Sequence, residues 1–130
     1  MSFTVMFASV NLSLDNVDLD AGTLSVVMEN DESVGGFQFS LTGVSITGGS
    51  GGSAQANGFT LSTSSSLVLG FSLTGSSIPA GSGVLTNVSF TGSPEEICLS
   101  GVVVSSTGGQ ALDYTLGDCY APPEIVTGCL

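Results

Sequence analysis

Apolar and polar residues alternate with a period of two along most of this chain, and that period belongs to β-strands. In Gly36-Phe37-Gln38-Phe39-Ser40-Leu41 the apolar side chains fall on one face, and in Val84-Leu85-Thr86-Asn87-Val88-Ser89-Phe90 the Asn87 side chain is set to point outward. The pattern predicts strands over residues 3–10, 23–28, 36–41, 59–62, 67–73, 83–90, 97–99, 102–105 and 112–116. Turn formers separate them: Asp20-Ala21-Gly22, Gly48-Gly49-Ser50-Gly51-Gly52-Ser53, Asn57-Gly58, Pro79-Ala80-Gly81, Gly92-Ser93-Pro94 and Thr107-Gly108-Gly109. No segment carries a helical stripe. Short strands punctuated by glycine predict an all-β antiparallel sandwich of about nine strands. The expected division is an N-terminal strand segment over 1–19, the sandwich over 20–118 and a cysteine-containing tail over 119–130.

A short internal echo fits this organisation. Residues 39–51 recur as residues 71–83, matching at ten of thirteen positions. Each copy reads as a strand end, a Thr-Gly turn, a buried isoleucine (Ile46, Ile78) and a glycine-rich loop. One repetition is too few for a solenoid, so two equivalent corners of one sandwich are expected.

Three stretches resemble a known family: Gly36-Phe37-Gln38-Phe39-Ser40-Leu41, Val68-Leu69-Gly70-Phe71-Ser72, and Ile78-Pro79-Ala80-Gly81-Ser82-Gly83-Val84-Leu85-Thr86-Asn87-Val88-Ser89-Phe90. In this order they look like a cohesin-type module, over roughly residues 20–118. The resemblance implies a nine-stranded jelly-roll sandwich that is non-catalytic and binds a partner protein such as a dockerin, or recurs as a module of secreted and surface proteins. The family's partner contact is made by a sheet face with no short motif, so no binding residue is carried over.

What such a sandwich can do is narrowed by charge. The chain has no Lys, Arg or His against eleven Asp and Glu, a net charge of −11, where about fifteen basic residues would be ordinary. Without Lys or Arg there is nothing to displace counterions from a nucleic-acid backbone, and the net charge repels nucleic acid and anionic lipid. Without His there is no Ser-His-Asp triad, no imidazole acid/base and no His-ligated zinc. Without Lys there is no Schiff base. Carboxylate-only catalysis would need two carboxyl groups across a cleft, for which Glu95 with Glu96 or Glu124 are loose candidates; no enzyme is expected. Sugar platforms rely on exposed aromatic rings, and the chain has no Trp and two tyrosines, Tyr114 and Tyr120, which argues against a carbohydrate-binding domain. Apolar runs are too short to span a membrane, and residues 1–10 lack the cationic start and apolar length of a signal peptide.

Cys98, Cys119 and Cys129 make an odd count. A Cys98–Cys119 bridge would close about twenty residues and contribute roughly 3 kcal/mol, leaving Cys129 over; pairings of Cys129 with either of the others stay open. A disulfide implies an oxidising compartment, hence an extracellular, cell-surface or virion-surface location. Acidic residues cluster as Asp15, Asp18, Asp20 and as Glu29, Asp31, Glu32. They read as solvated loops, with Asp15, Asp18 and Asp20 a calcium candidate; no other cofactor is expected. Asn11-Leu12-Ser13 and Asn87-Val88-Ser89 satisfy the N-glycosylation triplet.

The first residues are apolar on both faces: Phe3, Val5 and Phe7 on one, Met6, Ala8 and Val10 on the other. Such a strand is buried on both sides or inserted between strands of another sheet. Phe3, Val5, Met6 and Phe7 are therefore candidates for strand exchange with a second copy. The functional expectation is a non-catalytic extracellular structural protein that self-assembles into a fibre or surface layer. The alternatives are a cohesin-type module binding a dockerin-like partner, and a carbohydrate-binding domain or virion fibre.

Overall fold

In the computed structural model, which describes residues 10–92 and 95–121, alternation turns directly into pleat. Strand β3 (Val34–Thr42) buries Phe37, Phe39 and Leu41 and leaves Gln38 and Ser40 on its outer side. The other strands are β1 (Val10–Asp18), β2 (Thr23–Asn30), β4 (Ser45–Ser50), β5 (Thr60–Thr63), β6 (Leu67–Phe71), β7 (Gly81–Thr91), β8 (Cys98–Ser106) and β9 (Tyr114–Leu116), with one short helix, α1 (Gly52–Ala56). They form a five-stranded sheet, β4-β7-β2-β1-β9, and a four-stranded sheet, β5-β6-β3-β8. Every pairing is antiparallel except β1 with β9.

The inner faces of both sheets share one core that includes Val10, Leu12, Leu24, Val26, Phe39, Val68, Leu85, Val88, Ile97 and Val104. Each large side chain buried this completely contributes about 1.5–3 kcal/mol. The few polar groups inside are satisfied: Thr86 is fully buried, and its Oγ1 donates to the Ser50 carbonyl at 3.2 Å.

Four features differ from the expectations drawn along the chain. The sandwich includes residues 10–18, expected as part of a separate N-terminal segment. β1 lies between β2 and β9 with Val10 and Leu12 wholly buried, and a bulge between Asp15 and Asp18 carries its polar residues. The Gly-Ser stretch expected as loop forms β4 and α1. An edge strand needs ladder bonds more than apolar side chains, and β4 takes its bonds from β7 and buries Ile46. α1 then sets Ala54 into the core. Residues 97–99 and 102–105, expected as two strands, meet in the single strand β8. Gly101 (φ 56°) sits at a register shift there, so Leu99 and Val102, three apart, both face inward. Tyr120, expected in the tail, pairs with Ile97 through reciprocal 2.8 Å backbone bonds.

The echo is structural at its corners. Gly43 (φ 88°) and Gly75 (φ 78°) make the two turns, and Ile46 and Ile78 are both buried. The strand ends differ, since Phe39 points into the core and Phe71 is only half-buried. Phe3, Val5, Met6, Phe7, Cys129 and Glu124 lie outside the described residues.

Candidate interaction face

The outer face of the four-stranded sheet is assembled by register. Thr60, Phe71, Gly36 and Ser105 lie in one row across β5, β6, β3 and β8. Ser62, Leu69, Gln38 and Val103 lie in the next, and Leu67, Ser40 and Ser100 follow. β6 therefore runs an apolar row, Leu67, Leu69, Phe71, down the middle of a hydroxyl- and amide-bearing surface. Its inward positions are Val68 and Gly70. Val103, 50% exposed, stands across Gln38 from Leu69.

Gly36 has no side chain between Phe71 and Ser105. The result is a shallow groove of about 290 Å³ bordered by Leu69 and Phe71 on one side and by Val103 and Ser105 on the other. A Cβ at Gly36 would stand 3.2 Å from Ser105 Oγ and begin to fill it. Beyond the end of β6, Leu73 is 78% exposed. It is presented by a loop in which Ser72 Oγ accepts from the backbone N–H groups of Thr74 (3.2 Å) and Ser76 (2.8 Å).

Charge is absent from this sheet. None of the eleven carboxylates of the chain lies within β3, β5, β6 or β8, whereas β1 carries Asp15 and Asp18, and β2 carries Glu29. The outer face thus presents an apolar row, half-buried at Leu67, Leu69 and Phe71 and exposed at Val103, among neutral polar side chains.

The whole architecture is similar to that of solved structures. A non-cellulosomal cohesin from the hyperthermophilic archaeon Archaeoglobus fulgidus superimposes over 84% of this chain and 86% of its own, with a TM-score of 0.60 and 16% identity. A chain of a type I cohesin–dockerin complex from Clostridium thermocellum superimposes over 90% of this chain and 94% of its own, with a TM-score of 0.62 and 15% identity. The fold is cohesin-like. At such identities the likeness is one of architecture and assigns no residue. No family model matches the sequence, and no curated protein matches it.

On the cohesin-like sandwich the residues singled out from sequence fall apart into separate places. Asp18 Oδ1 accepts from the backbone N–H groups of Asp20 and Ala21, both at 3.0 Å, and so caps the β1–β2 turn. Asp15 Oδ1 accepts from Asn16 N–H at 2.8 Å. The structure does not gather Asp15, Asp18 and Asp20 into a ligand group. Among the described residues the three potential metal ligands it does bring together are Glu96, Cys98 and Cys119, with ligand atoms within 4.8 Å of one another. Cys98 and Cys119 are joined as a disulfide. Asn11 and Asn87 are both exposed, on strands of the five-stranded sheet. Ser25 Oγ donates to Asn87 Oδ1 at 2.8 Å. Among the described residues no helix is long and apolar enough to cross a membrane.

Sequence reasoning missed the outer row of β6. The signal was present, because Leu67-Val68-Leu69-Gly70-Phe71 is apolar on both faces. The same criterion singles out residues 3–10.

Proposed function

We propose that this chain is a non-catalytic recognition module of the cohesin type, and that it binds a dockerin-like protein through the outer face of β5-β6-β3-β8. The observation that carries this reading is the neutral face with its apolar row, Leu67, Leu69, Phe71 and Val103, on a chain of net charge −11. Burying apolar side chains against a partner stabilises a complex, and a face without charges avoids the cost of desolvating them. The similar Clostridium thermocellum module is held in a complex with a dockerin, which supplies the partner class. The disulfide supports an extracellular or surface setting. Self-assembly into a fibre rests on Phe3, Val5, Met6 and Phe7, which lie outside the described residues. The exposed neutral face favours recognition over it.

The test is titration calorimetry of the chain against a panel of dockerin modules, repeated with Leu69→Asp and Val103→Asp. Both positions are on the outer side, so the variants should melt within a few degrees of the parent. A dockerin that binds the parent and loses roughly 100-fold or more in affinity to either variant supports the reading; losses of about 2–4 kcal/mol are typical of interface anchors. Binding indifferent to both substitutions, or no binding across the panel, overturns it. Light scattering on the same samples would show mass well above 12.9 kDa if the chain assembled with itself.

A further inference from the structure

Cys98 and Cys119 are held opposite one another by more than their own bond. Ile97 and Tyr120 form an antiparallel bridge with two 2.8 Å backbone hydrogen bonds. Ile97 is fully buried and Tyr120 packs on the core. The next residues along, Cys98 and Cys119, therefore face each other with Cα atoms 4.5 Å apart, the spacing of a non-hydrogen-bonded antiparallel pair. This backbone clamp does not run through the sulfur–sulfur bond. Glu96, two residues before Cys98 and exposed, brings a carboxylate oxygen within 4.8 Å of both sulfurs. Cys119 is exposed and Cys98 half-buried, so both a reductant and an ion can reach the pair.

The chain contains no Lys, Arg or His, so no cationic side chain of its own favours the thiolate form of either reduced cysteine or pairs with the carboxylate. A metal ion would itself have to displace the thiol protons, and the surplus of carboxylates attracts cations. Two thiolates with one carboxylate suit a thiophilic divalent ion, with water in the fourth tetrahedral position.

We propose that Glu96, Cys98 and Cys119 form a two-state site: a disulfide when oxidised and, when reduced, a binding site for Zn²⁺ or Cd²⁺. In the reductive step the disulfide takes two electrons and two protons from a dithiol, which leaves as its own disulfide, and Cys98 and Cys119 become thiols. The metal then binds both sulfurs as thiolates and the Glu96 carboxylate, and two protons go to solvent. Either state clips the segment after β9 to β8, so the metal replaces the covalent staple instead of opening the fold.

The experiment uses the full chain with Cys129→Ser, which prevents thiol exchange with the third cysteine. It is reduced with dithiothreitol, desalted without oxygen and titrated with Zn²⁺ against a chromophoric chelator. We expect one Zn²⁺ per reduced chain, none on the oxidised chain at the same concentrations, and a higher melting temperature of the reduced chain when zinc is present. Glu96→Gln should weaken zinc by at least the roughly 10–100-fold that loss of a supporting partner costs at metal sites, and should leave the melting of the oxidised chain unchanged. A reduced chain that takes no zinc overturns the proposal, as does zinc binding that Glu96→Gln leaves intact. So does zinc that binds without raising the melting temperature, because the ion would then not be a staple.

Discussion

Phe37 occupies the space that a side chain at Gly70 would need. The two are cross-strand partners in the β3–β6 ladder, and a Cβ built on Gly70 would lie 2.2 Å from the Phe37 ring. Phe37 in turn stacks on Phe39 and Phe59, each at a centroid distance of 6.1 Å. Gly70→Ala should therefore destabilise by about 1–3 kcal/mol through overpacking, and Phe37→Ala by about 3–5 kcal/mol through the lost ring. The two effects should not add: in a Phe37→Leu background Gly70→Ala should cost less. Urea unfolding of these variants and the parent measures this, and strict additivity would show that the ring does not fill the glycine's place.

Asn16 sits at φ 50° inside the bulge of β1. That is left-handed backbone, which Asn and Gly tolerate and β-branched residues resist. Its side-chain amide also reaches Ser25 Oγ at 3.5 Å, a weak contact. Asn16→Gly should change stability by no more than about 0.5 kcal/mol, and Asn16→Val should cost about 1–3 kcal/mol. Thermal melts of the two variants decide it; a benign valine would mean that the bulge relaxes.

With eleven carboxylates and no cationic side chain, the folded chain repels itself at neutral pH. Sodium chloride shortens the Debye length from about 30 Å at 0.01 M to about 10 Å at 0.1 M. The melting temperature should rise over that interval and then level off. A melting temperature that stays flat or falls with salt would indicate that the carboxylates are spread widely enough not to interact.

Much of the architecture is legible along the chain because it is written locally. The alternation in residues 36–41 and 83–90 names the inward residues Phe37, Phe39, Val88 and Phe90. Residues 45–50 and 52–56 look like loop because Gly and Ser advertise turns. Their strand and helix are decided by ladder bonds from β7 and by a single buried alanine, Ala54. The break at Gly101 hides the unity of β8 for a related reason: a bulge shifts the phase of the alternation without ending the strand.

Strand class, most turn positions, most of the core and the absence of cationic chemistry follow from the order of residues in the chain. Each depends on residue type or on neighbours a few positions away. Three relationships needed the folded molecule: four charge-free strands meet in one sheet, the outer row of β6 comes level with Val103 of β8, and Cys98 faces Cys119 beside Glu96. Those relationships join residues far apart in the chain. Strand order and register set them, and both follow from long-range hydrogen bonding and core packing.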